Sequence, residues 1–321
     1  MEKTGNKGTK RLQLATEIAK MYYLEHMTQE QIAKITHLSR PNVSRILNQC
    51  TENGIVEIRI HDRMSTMPEV ALKIKRRWNL ENVFIASTST NDDRTKKNIG
   101  ELAAEYLITI LRDDMYIGTT AGRISYYTAR SISNPDSIRA NVVQLIGDTK
   151  AVFSYDSGQG LASLYAQRFG GSCYVLQAPL FVKNKTTKNV LLNSNIIGSC
   201  FSKYSSIDIA IMEIDVPQLH RHTLPLQSWL SQADMVQLNE VGATVSICGR
   251  YFDLDGYPCN ANINERVIGI NIGDLRNIPH RIGFASGIHL ARATKSCLNA
   301  NLLTTLFIDE SLAKKICADD D

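Results

Sequence analysis

The sequence predicts an α/β chain in two parts: a small helical head closed by a half-buried strand, then a larger, doubly wound and mostly parallel sheet domain. Three observations carry this. A length of 321 residues at 43% hydrophobic content is ample for two cores. Three short helical patterns fill residues 11–53, the second opened by a capping box, and an alternating apolar run follows Gly54. Beyond residue 79, short apolar runs alternate with amphipathic stretches, which is the signature of βαβ units.

From Arg11 to Glu25, Leu14, Ile18, Met21 and Tyr22 recur at helical spacing and define the first helix. Thr28-Gln29-Glu30-Gln31 has the Ser/Thr-x-x-Glu/Gln form of a capping box, so a second helix starts at Thr28 and buries Ile32, Ala33 and Ile35. His37 and Leu38 interrupt the pattern. Ser39, whose hydroxyl can cap, then opens a third helix, with Pro41 in its first turn where an intrahelical N–H is dispensable. Val43, Ile46 and Leu47 face inward, while Arg40, Asn42, Ser44, Arg45, Asn48 and Gln49 occupy the other face with no acidic residue from Ser39 to Gln49. Arg matches guanine bidentately, Asn and Gln match adenine, and Ser with a helix N-terminus suits phosphate. Gly54 stops the helix, and Ile55-Val56-Glu57-Ile58-Arg59-Ile60 alternates like a half-buried strand. Helix, tight turn, exposed basic helix and strand make a winged helix-turn-helix, which places its third helix in the major groove of duplex DNA. Any three-helix domain shows such spacing, but here the cap, turn, acid-free face and strand all agree.

Periodicity is lost across Asp62-Arg63-Met64-Ser65-Thr66-Met67, and Pro68 opens a helix to Trp78. The expected organisation is a DNA-binding domain over residues 1–61, a linker and linker helix over 62–78, and the α/β domain over 79–321. Lys73, Lys75, Arg76 and Arg77 are read as a solvated basic face of the linker helix. Strand runs follow at Val83–Ala86, Tyr116–Gly118, Val142–Gly147, Cys173–Leu176, Ile207–Met212, Val267–Ile270, Ile282–Ala285 and Leu306–Ile308. Helices are expected to Leu111, over Arg123–Ser131 and over Gly158–Phe169. Ligands of such sheets bind beyond the carboxyl ends of the strands.

A net charge of +4 is too small for a chain coated in phosphate, so any basic surface is local. The seven cysteines (Cys50, Cys173, Cys200, Cys248, Cys259, Cys297, Cys317) include no C-x-x-C and read as reduced thiols of a cytoplasmic protein. MEKTGNKGTKR leads into no apolar h-region, no run is long enough to span a membrane, and Asp319–Asp321 reads as a frayed tail. His220 and His222 form a His-x-His pair without a third ligand, and Asp253-Leu254-Asp255-Gly256 lacks the later ligands of a calcium loop. The first reads as a surface loop and the second as a tight turn, so neither a metal nor a cofactor is expected.

The run MTQEQIAKITHLSRPNVSRILNQCTENGIVEIRI resembles the DNA-binding domain of the SorC family of sugar-responsive bacterial regulators. Ile117-Gly118, Val143–Gly147, Gln177–Leu180, Gly249–Asp253 and Arg281–Lys315 resemble its effector domain, so the likeness covers nearly the whole chain. It implies an effector domain similar in fold to sugar-phosphate isomerases and deaminases, binding a sugar, polyol or sugar phosphate and setting the operator affinity of a homodimer or homotetramer. On this resemblance Thr28, Gln29, Ser39, Arg40, Asn42, Ser44, Arg45 and Asn48 contact DNA. The effector is met by Thr119, Thr120, Gly122 and Arg123 of the loop after Gly118, by Ser286, Gly287 and His289, and by Gly147 and Asp253.

Two family contacts are replaced. Leu290 stands where the family's alanine-glycine-glycine-x-x-lysine segment has its lysine, and Val245-Ser246 stands where it has glycine-aspartate. An uncharged effector is the expectation that follows. Two alternatives stay open at this point. One is a regulator that acts without a small ligand. The other is an isomerase- or deaminase-like enzyme fused to a DNA-binding head, with Asp208, Glu240, Asp253 and Asp309 available as bases.

Overall fold

The computed structural model describes residues 5–56, 66–133, 138–148, 157–217 and 230–318. The chain divides into two compact units, Met1–Asp62 and Arg63–Asp321.

In the first unit, α1 (Gly5–Tyr23), α2 (Gln29–Thr36) and α3 (Arg40–Glu52) pack around Ile18, Ile32, Val43 and Leu47, the residues their apolar spacing selects. The capping box forms as expected: Thr28 accepts from the Gln31 N–H while the Gln31 side chain accepts from the Thr28 N–H at 2.9 Å. His37 takes a left-handed conformation (φ 53°), so the chain turns sharply into Ser39. Two details differ. Ile35 is 52% exposed, in the last turn of α2, which ends one residue later at Thr36. Ser39 is the N-cap by backbone geometry, but its hydroxyl makes no capping bond. Pro41 removes one of the amides that a capping hydroxyl would accept from. Gly54 follows the helix at φ 71°. Of the expected wing strand, Ile55 and Val56 are non-strand, with the Val56 N–H bonded to the Cys50 carbonyl, and residues 57–60 lie outside the described residues, as do 61–65.

In the second unit, α4 (Pro68–Arg77) buries Ala71 and Ile74 and packs on the sheet, so the expected linker helix is an integral part of this unit. Its lysines and arginines are exposed, with Arg77 stacked on Trp78. The chain continues through β1 (Asn82–Ala86), α5 (Asp92–Ile110), β2 (Tyr116–Thr119), α6 (Arg123–Ser131), β3 (Ala140–Gln144), α7 (Gly158–Phe169) and β4 (Gly170–Tyr174). Then come α8 (Lys185–Leu192), α9 (Asn195–Phe201), β5 (Ile209–Glu213), α10 (Gln232–Glu240) and a hairpin of β6 (Val245–Ile247) and β7 (Arg250–Phe252). The last part is α11 (Asn262–Glu265), α12 (Ile272–Asn277), β8 (His280–Phe284), α13 (Ala291–Asn299), β9 (Thr305–Asp309) and α14 (Glu310–Ala318).

Among the described residues, seven strands form one sheet in the order β1-β9-β8-β5-β2-β3-β4, and every pairing in it is parallel. Period-two alternation divides its side chains between two cores. Ile209, Ile211 and Phe307 join α5, α6 and α7 through Ile99, Ala103, Ile124 and Tyr165. Ala210, Met212, Leu306 and Ile308 join α4, α13 and α14 through Ile74, Ala293, Leu312 and Ile316. Covered on both faces, these strands are apolar throughout rather than alternating.

The strand expected at Cys173–Leu176 is observed as β4, Gly170–Tyr174, and a second strand expectation needs correction. Val267–Ile270 is not a sheet strand. It makes isolated antiparallel bridges, Gly269 to Ile146 and Val267 to Phe181, and its full burial imitates a core strand in sequence. The β6–β7 hairpin went unrecognised, because three-residue strands carry too little alternation. Its turn is made by Cys248 and Gly249, both at positive φ, as a two-residue hairpin loop requires.

Candidate functional site

On α3, Arg40, Asn42, Arg45 and Asn48 are exposed, and Ser44 and Gln49 are half-buried. Asn42, Arg45 and Gln49 follow one another at i, i+3 and i+7 and so share a stripe. Among the described residues no ion pair holds Arg40 or Arg45, so both guanidinium groups remain available to an outside partner. Exposed Thr28 and half-buried Gln29 lie at the N-terminus of α2, and Ser39 keeps its hydroxyl off the helix amides. The arrangement can present hydrogen-bond donors and positive charge to a groove, with Val43 and Leu47 holding the helix from behind.

In the second unit, chain direction across the sheet reverses between β2 and β5. From β2 the strands progress to β3 and β4 at one edge, and from β5 they progress to β8 and β9 toward the other. A crevice opens beyond the carboxyl ends of strands at such a switch point. A cavity of about 370 Å³ occupies it. Its walls come from the loop after β2 (Thr120, Gly122), the end of β5 (Glu213, Asp215), the hairpin turn (Ser246, Cys248, Tyr251) and the segment after β8 (Ser286, His289, Leu290). The volume suits a small metabolite.

The chemistry of this wall is mostly oxygen acceptor and apolar surface. Ser286 is 4% exposed, and its Oγ has no protein partner. Asp215 is exposed as a residue, yet desolvation of its carboxyl pushes it up from its ordinary range, opposed by the N–H of Val216 and by nearby His289. Glu213 is half-buried as a residue, but desolvation of its carboxyl lifts it to about 7, opposed by the backbone amides of Ser125, Ile124 and Arg123. The Ser125 N–H reaches Glu213 Oε1 at 2.9 Å. Those amides are the N-terminus of α6. Gly122 lies directly over the carboxyl: a Cβ there would stand 2.0 Å from its carbon, so the loop tolerates only glycine while Glu213 keeps its place. Lys96 also borders the cavity, paired with Asp92 at 2.6 Å.

Of the effector residues expected from sequence, Thr120, Gly122, Ser286 and His289 meet at this cavity, as does Leu290. The others are placed elsewhere. Arg123 turns outward, its Nε donating to Asp93 Oδ1 at 3.1 Å and its NH2 to the Tyr127 hydroxyl at 3.2 Å. Thr119 is buried within the sheet, outside the cavity lining. Gly147 is a packing glycine whose absent side chain admits the carbonyls of Ala178 and Pro179. Asp253 closes a tight turn by accepting the Tyr257 N–H, and the Gly287 N–H is bonded to Asp309 at 2.6 Å. Glu213 and Asp215 are the residues that sequence reasoning missed. A signal was present: they stand two apart at the carboxyl end of a wholly apolar strand, where alternate residues share a face.

The carboxylates considered as catalytic bases do not converge. Asp208 accepts the Tyr116 N–H, Glu240 is exposed on α10, and Asp309 accepts the Ser311 and Leu312 amides at the start of α14. No metal-ligating cluster occurs among the described residues, and His220 and His222 lie outside them. No helix among the described residues is long and apolar enough to cross a membrane.

Comparison with known proteins agrees with this architecture. Residues 62–318 match the family described as "Putative sugar-binding domain", and residues 25–57 match a winged helix-turn-helix DNA-binding family. The chain is 25% identical over 308 residues to the deoxyribonucleoside regulator of Bacillus subtilis, covering 96% of this chain and 98% of that protein. It is 26% identical over 301 residues to the transcriptional regulator LsrR of Escherichia coli K12, covering 93% of this chain and 92% of that protein. The full-length sorbitol operon regulator SorC from Klebsiella pneumoniae superposes with a TM-score of 0.85 at 23% identity, covering 95% of this chain and 98% of that one.

A winged helix-turn-helix joined in one chain to an α/β sugar-binding domain defines a DNA-binding transcriptional regulator. The chain belongs to the sugar-binding-domain family, with the SorC-type arrangement of its two units.

Proposed function

We propose that the chain binds an operator through α3 and that an unphosphorylated, sugar-derived metabolite, a sugar or polyol, sets its operator affinity from the switch-point cavity. One observation carries the ligand class. The cavity offers the unpartnered hydroxyl of buried Ser286 and the carboxyls of Glu213 and Asp215, with apolar Leu290 in its lining. Acceptors of this kind match hydroxyl groups, whereas a phosphate brought against two carboxyls meets like charge. The names of the deoxyribonucleoside and sorbitol operon regulators point to the same chemistry. The chain acts in the cytoplasm as a regulator and not as an enzyme, since the carboxylates considered as bases serve turns, strand ends and helix starts.

The test is calorimetry across sugars, polyols and their phosphates, followed by operator binding with and without each ligand. An uncharged ligand is expected to bind and to shift operator affinity. At 100 times its Kd it should also stabilise the fold by about 2.7 kcal/mol. Tighter binding of a sugar phosphate than of its parent sugar would overturn the proposal.

One recognition helix spans only one half-site, so the operator-bound form is a homodimer or homotetramer on a partly palindromic site. Sedimentation of the protein on operator DNA should give an even number of protomers, and a monomer on DNA refutes this assembly.

A further inference from the structure

We infer that Glu213 determines the effector class by seating its carboxyl at the N-terminus of α6, where a phosphate or carboxylate group of the ligand would otherwise bind. The inference deepens the cavity assignment above and rests on it for the location of the site.

A helix N-terminus next to a glycine-containing βα loop is an anion site by physics alone, since its unpaired N–H groups and dipole both favour negative charge. In this chain a carboxyl already sits there. The Ser125 N–H is bonded to Glu213 Oε1 at 2.9 Å, and Gly122, the N-cap of α6, lies directly against the same carboxyl. The fit is close: no side-chain atom could be added at Gly122 without striking Glu213. The carboxyl comes from the neighbouring strand β5, on the other side of the switch point, so it is not a local cap of its own helix.

That the position belongs to a ligand site follows from a separate observation. Ser286, 96% buried, borders the same cavity with an unpartnered Oγ. A ligand that bonds Ser286 lies in a space whose anion position is already filled. A phosphorylated ligand must displace the Glu213 carboxyl and meet Asp215 as well, while an uncharged ligand meets neither obstacle.

The inference predicts a gain of function. Glu213→Ala vacates the α6 amides, and Glu213→Gln keeps them covered with a side chain of the same size. Inorganic phosphate is the first probe, and a matched pair of sorbitol and sorbitol 6-phosphate the second, all by calorimetry on the full-length protein. Glu213→Ala is expected to bind phosphate about 10- to 100-fold more tightly than wild type, with Glu213→Gln unchanged from wild type. The sorbitol phosphate should gain affinity by a similar factor in the Ala variant relative to sorbitol. Should the Ala variant fail to fold, Glu213→Ser vacates the same amides with a smaller loss of hydrogen bonding and carries the same expectation. A folded Ala or Ser variant that binds phosphate no better than wild type overturns the inference, as does an equal gain in Glu213→Gln. If wild type binds no sugar or polyol of any kind, the effector proposal fails, yet the phosphate gain remains measurable, so the two failures are distinguishable.

Discussion

Replacing Arg40 and Arg45 together with alanine is expected to weaken operator binding by at least two orders of magnitude while leaving the head domain folded. Each guanidinium that reads a guanine bidentately contributes about 1–3 kcal/mol, or roughly 10- to 100-fold in affinity. Two such groups act in every protomer. The fold should not respond, because both side chains are exposed and the helix is held by Val43 and Leu47 on its other side. Exposed substitutions of this type stay within about 0.5 kcal/mol. Fluorescence anisotropy with a labelled operator at several salt concentrations measures the loss and also sorts the contacts. If an arginine neutralises a phosphate, its removal lowers the slope of log K against log salt by about one and weakens all sequences alike. If it reads a base, the slope holds and discrimination at one position relaxes. Wild-type affinity in the double variant would remove α3 from the interface.

How far this could be read from sequence depended on the kind of signal. The Thr28–Gln31 capping box and the break in the apolar pattern at His37 are local signals, and the bounds of α2 and the start of α3 follow from them. The central strands were legible where both faces are covered and the run is apolar without interruption, as in Ile209–Met212 and Leu306–Ile308. The same signal misled at Val267–Ile270, which is as buried as a strand but bridges a loop. Strand order was not legible, since parallel pairing is non-local, and the switch point between β2 and β5 emerges only from the order. The site was half-visible for that reason. Thr120, Gly122, Ser286 and His289 were found from loops after strand runs, whereas Arg123 was given to the ligand because sequence cannot show that Asp93 and Tyr127 claim it. Glu213 was overlooked at the end of its strand, although its role becomes visible only once β5 and α6 are neighbours.

The pH dependence of stability should change when Glu213 becomes glutamine. Burial raises the folded carboxyl from its ordinary 4.5 to about 7, so between these values the folded chain holds a proton that the unfolded chain has released. Stability contributed by this neutral form is complete below pH 4.5 and is lost as pH rises through 7, with a slope set by the extra bound proton. The whole window corresponds to about 3 kcal/mol. Glutamine has the shape of the neutral acid and cannot titrate. The stability difference, variant minus wild type, should therefore grow by about 3 kcal/mol from pH 4.5 to 7.5 and then level off. Asp215, His289 and Lys96 line the same cavity in both proteins, so the comparison isolates the change at Glu213. Trp78 packs against the core of the second unit, and residues 1–62 contain no tryptophan, so fluorescence in urea follows the unit that contains Glu213. A difference that stays constant from pH 4.5 to 7.5 would mean that Glu213 ionises normally, and the buried carboxyl could not then have the environment described here.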